Sequence, residues 1–294
     1  MKVLVFGKTG QVATELGRRA PAGWKVTLLG RDAVDLSDAD ACAAAVAAAD
    51  ADLVINAAAW TAVDKAEAEE PAALAVNATA PGAMAQAAAA RGLPFLHIST
   101  DYVFDGTGSQ PWRVTDAPAP VGAYGRTKLA GENAVRDAMG ADGRHVILRV
   151  SWVFSAHGSN FVRTMLRLGH MRQGDGGRLR VVADQVGGPT PAAAIADALY
   201  AIAAAYGDGR GVDGTFHLSG APDVSWADFA RSIMVTAGLD VPVDDIVTSD
   251  YPTPARRPEN SRLDCSSLAT AYGIGRPDWN VGLREVLTEL GEIG

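Results

Sequence analysis

The sequence predicts an α/β fold: a doubly wound parallel sheet with helices on both faces, joined by a smaller C-terminal α/β unit. Three observations lead there. Short apolar runs recur at KVLVF (2–6), KVTLL (25–29), DLVIN (52–56), PFLHIS (94–99) and HVILRV (145–150). Ala- and Glu-bearing stretches of helical character separate them. Strands read as continuous apolar runs when crossover helices bury both faces of a parallel sheet. After about residue 150 the alternation loosens, and Gly and Pro gather in DQVGGPTP (184–191) and YPTPARRPENS (251–261). Loops of that composition present binding groups from a rigid scaffold. The division expected is residues 1–151, with part of 181–212, as a nucleotide-binding unit, and 152–180 with 213–294 as a second unit.

The first strand runs into Gly7-Lys8-Thr9-Gly10-Gln11-Val12-Ala13, a G-x-x-G-x-x-A pattern that opens a helix-competent run. Glycine lets the backbone turn sharply and approach a pyrophosphate, and a helix N-terminus offers free N–H groups and a positive dipole end. The position after strand one and before helix one is where a Rossmann-type sheet binds a dinucleotide. Gly7, Gly10, Gln11 and Val12 are therefore cofactor candidates. Strand two ends in Leu29-Gly30-Arg31-Asp32. Arg31 suits the 2′-phosphate of NADPH, while Asp32 keeps NADH possible. Asp35 and Leu36 follow as candidates for the adenine ring. Strand three ends in Ala57-Ala58-Ala59, whose small side chains let a flat cofactor lie against the sheet edge.

Strand four ends in Ile98-Ser99-Thr100-Asp101, and Tyr124-Gly125-Arg126-Thr127-Lys128 follows as a Y-x-x-x-K motif. On a helix, positions i and i+4 share a face. An ammonium beside a phenol lowers its pKa, and the phenol then protonates a carbonyl oxygen as hydride reaches the carbon. Thr100 is expected to polarise the carbonyl, Tyr124 to donate the proton, and Lys128 to tune Tyr124 and hold the nicotinamide ribose. Asn77 is a candidate for a water relay to Lys128. After strand five, Trp152 offers a ring for stacking on a sugar or base. Asn160 and Gln185 lie in loops expected at the same cleft, and Arg256, Arg257 and Arg262 carry guanidinium groups suited to a diphosphate.

Other chemistries fit poorly. The formal net charge is -8, and with no basic stripe nucleic acid is not an expected partner. No apolar run approaches the roughly 18 residues of a membrane span. The strand that starts at Lys2 leaves no room for a signal peptide, so a cytoplasmic location is expected. Cys42 and Cys265 sit in no Cys/His cluster and read as reduced thiols. The five His show no zinc spacing, there is no G-x-S-x-G elbow, and Gly7-Lys8-Thr9 lacks the upstream glycine of a P-loop.

Together FGKTGQV (6–12), NAAAWTAVDKAE (56–67), STDYVFDG (99–106), YGRTKLAGE (124–132), RVSWVF (149–154), DQVGGPT (184–190) and YPTPARRPENSRLD (251–264) resemble the extended short-chain dehydrogenase/reductase family over essentially the whole chain. The likeness is strongest to members that act on dTDP-sugars. It implies NAD(P)H-dependent reduction of the C4 ketone of dTDP-4-dehydro-L-rhamnose. It carries Thr100, Tyr124 and Lys128 over as a triad and sets Thr100, Asp101 and Trp152 against the sugar. Some relatives share a Mg²⁺ between subunits through acidic side chains. Glu15 and Glu289 match two of those positions, but the third falls near Ala193, so no metal site is expected, and monomer or homodimer both remain open. Another dTDP-deoxysugar 4-ketoreductase, or a non-catalytic regulatory subunit like that of methionine adenosyltransferase, are the alternative readings.

Overall fold

A computed structural model of the protein describes residues 1–141, 143–174 and 176–294. The first half alternates as expected. Strands β1 (Lys2–Phe6), β2 (Lys25–Leu29), β3 (Leu53–Asn56), β4 (Phe95–Thr100) and β5 (His145–Val150) match the five apolar runs. Helix α1 (Gln11–Arg18) follows β1, and α2 (Ala39–Ala48) follows β2. Between β3 and β4 come α3 (Val63–Ala68), α4 (Glu70–Leu74), a π-helical turn (Ala75–Thr79) and α5 (Ala80–Ala90). Helix α6 (Ala123–Met139) precedes β5.

The second half is built of shorter pieces. These are β6 (Val153–Phe154), α7 (Phe161–Arg172), β7 (Leu179–Val182), β8 (Val186–Gly187), β9 (Thr190–Pro191) and α8 (Ala192–Gly207). Then follow β10 (Gly214–Leu218), β11 (Val224–Ser225), α9 (Trp226–Thr236), β12 (Val243–Ile246), β13 (Asn260–Ser261), α10 (Ser266–Tyr272) and α11 (Trp279–Glu289).

Six parallel strands form the main sheet in the order β10-β5-β4-β3-β1-β2. The chain leaves β1 toward β2 on one side and returns to β3 on the other. The switch point between β1 and β3 is where such sheets bind ligands, beyond the carboxyl ends of the strands. The sixth strand was not foreseen: β10 comes from the stretch the sequence reading gave to the second unit. It pairs in register with β5, Gly214 beside Val146 through Leu218 beside Val150, and buries Phe216, His217 and Leu218.

Two apolar clusters flank the sheet. Leu16 of α1 and Ile195, Leu199 and Ile202 of α8 cover one face, and Cys42, Val46, Met84 and Val135 cover the other. A separate cluster joins Val162 and Leu166 of α7, Phe229 and Ile233 of α9, and Leu283 and Leu287 of α11. Among the described residues no helix is long and apolar enough to cross a membrane.

Candidate active site

The cleft is a space of about 950 Å³ along the carboxyl ends of β1, β3 and β4. Gly7 and Gly10 form its floor at the start of α1, with φ of +121° at Gly7. A Cβ at Gly7 would lie 3.0 Å from the Ala13 Cβ and 3.4 Å from the Ala57 carbonyl. The turn therefore has room for a ligand backbone-close and for nothing larger than hydrogen at that residue. Ala57, Ala58 and Ala59 line the next edge, and Arg31 and Leu36 stand at the rim. Sequence reasoning missed Lys8, which lines the same rim. Its amine meets the Asp32 carboxylate at 3.0 Å, which turns that acid toward lysine.

Asp35 does not line the cleft. Its carboxylate accepts the Ser37 N–H at 2.9 Å and closes a turn, the local bond that makes Asp a turn residue. Gln11 lines the cleft but its amide is already engaged: Oε1 accepts from Ser155 Oγ and Asn160 Nδ2, both at 3.0 Å. Asn160 likewise spends its carbonyl as the N-cap of α7, accepting the Arg163 N–H. These two predicted contact residues tie the start of α1 to the second half of the chain.

Thr100, Asp101, Tyr124 and Lys128 all reach the cleft. Gly125 explains why α6 comes so close: a Cβ there would collide with the Tyr102 carbonyl. Thr100 Oγ1 donates to Asp101 Oδ1 at 3.1 Å and accepts the Tyr102 N–H. Asp101 is buried, and burial raises its carboxyl to about 6, with the Ser261 and Thr100 hydroxyls pulling back only in part. Tyr124 stacks edge-on against Tyr102, centroids 5.4 Å apart. Burial raises its phenol above the ordinary range, the Thr100 hydroxyl opposes this, and the Asp101 charge adds to it.

Lys128 departs from the expected arrangement. Its Nζ donates to the Ile98 carbonyl at 2.7 Å and lies 3.3 Å from His97 Nε2. Burial lowers it to about 8 against the charge of Glu132. The amine thus faces strand β4, and desolvation outweighs any lowering of Tyr124. Asn77 lies in the π-helical turn, a form that recurs at functional sites. Its bonds go to Trp60 and to Thr127 Oγ1, not to Lys128.

Trp152 lines the opposite wall with φ of +49°, a left-handed conformation rare for a large side chain. Gln185 is buried away from the cleft and donates to Thr248 Oγ1 at 3.1 Å. Arg256 is exposed, Arg262 donates to Asn260 Oδ1, and Arg257 donates to Asp64 Oδ2 at 2.7 Å. None of the three arginines lines the cleft. Arg257 adjoins the cleft residue Tyr102, and its Nη1 is buried without a partner.

The residues match one family model, described as the RmlD substrate binding domain, over residues 1–292. The chain belongs to the RmlD substrate-binding-domain family. A relative of this RmlD-family chain from Sinorhizobium fredii, named dTDP-4-dehydrorhamnose reductase, is 43% identical over 99% of this chain and 98% of its own. An Escherichia coli protein of that name is 41% identical over the same shares. Among solved structures, a dTDP-4-dehydrorhamnose reductase from Clostridium acetobutylicum superposes with a TM-score of 0.90 at 34% identity, covering 99% of this chain and 100% of that one. One from Bacillus anthracis, in complex with NADP, gives 0.90 at 30% identity, covering 98% and 99%.

Away from the cleft, Glu15, His157 and Glu289 bring ligand atoms within 4.8 Å of one another. Ala193 lines the same hollow, so the two acids foreseen meet where the third was missing. His157, not foreseen, completes the group. The Arg18 guanidinium bonds both His157 Nε2, at 2.8 Å, and Glu289.

Proposed function

We propose that this protein reduces the C4 ketone of dTDP-4-dehydro-L-rhamnose to the alcohol of dTDP-L-rhamnose, consuming NADPH and one proton. The observation that carries the reading is the convergence of Thr100, Tyr124 and Lys128 on the cleft that begins at the Gly7–Gly10 turn. The relatives' shared name supplies the sugar. Bound in that cleft, NADPH supplies the hydride. The α1 N-terminus and Gly7 hold its pyrophosphate, Arg31 and Lys8 meet the 2′-phosphate, and Ala58 and Ala59 line its path. Asp32, paired with Lys8, leaves the ribose edge cationic and favours NADPH over NADH.

Tyr124 gives its phenolic proton to the ketone oxygen, and Thr100, turning its one hydroxyl hydrogen from Asp101, donates a hydrogen bond to the same oxygen. Asp101 holds a sugar hydroxyl, and Trp152 covers the sugar face. Lys128 holds the ribose and restores the Tyr124 proton. In this reading the nucleotide unit is 1–151 with the stretch through β10, the sugar unit is the remainder, and the protein works in the cytoplasm. The test is NADPH oxidation followed at 340 nm with dTDP-4-dehydro-L-rhamnose and, separately, with other dTDP-ketosugars. Turnover of the rhamnose precursor is expected; turnover confined to another ketosugar overturns the assignment.

A further inference from the structure

We propose that His97 is a positioning residue for Lys128: its ring, held in one tautomer by Asn56, donates from Nε2 to the Lys128 amine, so that protonating Lys128 sends it toward the cleft. The hydrogen bonds fix each role in turn. The Ala58 backbone N–H can only donate, and it meets Asn56 Oδ1 at 3.1 Å. The other amide atom is therefore Nδ2, a donor, and it lies 3.1 Å from His97 Nδ1. A ring nitrogen that accepts carries no proton, so the neutral ring carries its proton on Nε2. His97 is fully buried, and burial, helped by the Lys128 and Arg136 charges, holds it well below its ordinary pKa.

The Nε2–H then faces Lys128 Nζ at 3.3 Å. An ammonium has three donors and no acceptor. A neutral amine offers its lone pair to Nε2–H and still donates to the Ile98 carbonyl. Around this pair, α6 presents Glu132 and Arg136, β5 presents Arg149, and β3 contributes the Asn56 amide. Glu132 accepts from both arginines, with bonds of 2.7 to 2.8 Å, so its charge, which favours a protonated Lys128, is shared with two guanidinium groups and is outweighed by burial. When Lys128 takes a proton, His97 cannot turn to accept it without stranding Asn56 Nδ2 in a dry core, a loss as large as any buried unmade bond. The side chain instead turns into the cleft that it already lines beside Tyr124.

This inference rests on the reading of Lys128 as the residue that serves the cofactor ribose. It is tested first on the unaltered full-length chain by ¹⁵N NMR of the histidine rings, with His97 assigned through its contact with the Asn56 side-chain amide. A bare Nδ1 and a protonated Nε2 are expected; a protonated Nδ1 overturns the proposal. The second measurement is NADPH affinity by fluorescence from pH 6 to 10. His97→Asn keeps a partner for Asn56 but does not reach Lys128, whereas His97→Gln keeps an amide donor toward it. Affinity in the wild type falls above the pH where Lys128 loses its proton. In His97→Asn that fall moves up by roughly one pH unit, the size of one lost hydrogen bond, and His97→Gln restores it. Superimposed profiles overturn the positioning role. Neither readout needs sugar turnover, so failure of the reductase assignment and failure of this one are separately visible.

Discussion

The indole rings of Trp152 and Trp226 lie face to face, with centroids 3.5 Å apart and planes 10° from parallel. Trp226 opens α9 and packs against Phe161, at 4.5 Å, and Phe229. A cleft wall with a left-handed backbone is thus held in place by the core of the second half. Aromatic pairs are worth ~0.5–1.5 kcal/mol beyond their burial. Trp226→Ala is expected to raise KM for the sugar nucleotide roughly 3- to 10-fold, with kcat changed far less. The near-ultraviolet circular dichroism of the stacked pair should vanish with it. An unchanged KM would remove Trp226 from substrate recognition.

Asp101 predicts a pH-dependent stability. Its folded pKa of about 6 lies above the ordinary 3.8. Between those values the folded chain binds more protons than the unfolded one, so stability falls as pH rises through the window and stays lower above it. Roughly two units correspond to up to about 3 kcal/mol. Asp101→Asn removes the ionisation. Its urea midpoint should exceed that of the wild type at pH 8, and the gain should shrink toward pH 4. A gain independent of pH would place the cause elsewhere.

The fold was legible because burial on both faces writes parallel strands as apolar runs, and all five such runs became strands. The sixth, Gly214–Leu218, was hidden because GTFHL is short, begins with glycine and follows a stretch of loops. The cleft lining was legible for a similar reason: the positions of Gly7, Gly10, Thr100, Tyr124 and Lys128 follow from local spacing after strands and along one helix, although the direction of the Lys128 amine does not. What spacing does not show is where polar bonds are spent. Asn160 and Gln11 consume one another, Asp35 folds back on its own turn, and Arg257 crosses to Asp64 over a separation of 193 residues. Such choices depend on which partners the tertiary fold brings near. Lys8 carried one usable signal, a lysine inside the glycine turn.

Arg31 predicts cofactor choice. It stands at the cleft rim with Lys8, while Asp32 is turned toward Lys8. Arg31→Ala should lose about tenfold in kcat/KM with NADPH, the scale of a charge-assisted hydrogen bond, and little with NADH. Equal losses with both cofactors would show that Arg31 does not read the 2′-phosphate.

Arg18 predicts indifference to chelators. Its guanidinium already bonds His157 and Glu289, the groups a cation would need. Treatment with EDTA should leave both activity and oligomeric state unchanged. Loss of either on chelation, restored by Mg²⁺, would show that Glu15, His157 and Glu289 hold a metal after all.

The proposed proton donor carries the last prediction. Tyr124 lines the cleft, and burial keeps its phenol protonated through the neutral range. Tyr124→Phe removes one hydroxyl from a site where the ring still packs on Tyr102, so melting temperature and NADPH fluorescence should hold. The alkoxide then forms without an acid, and kcat should drop by ~10²–10⁴-fold, the usual worth of general acid catalysis. Because burial raises the phenol far above neutrality, the basic limb of the wild-type profile is expected to come from Lys128, lowered to about 8 by burial. The residual activity of Tyr124→Phe should therefore keep that limb, whereas Lys128→Met should lose it and weaken NADPH binding as well. If Tyr124→Phe reduces the ketone at near the wild-type rate, the acid is another group, and Asp101, with its carboxyl at about 6, is the first to replace.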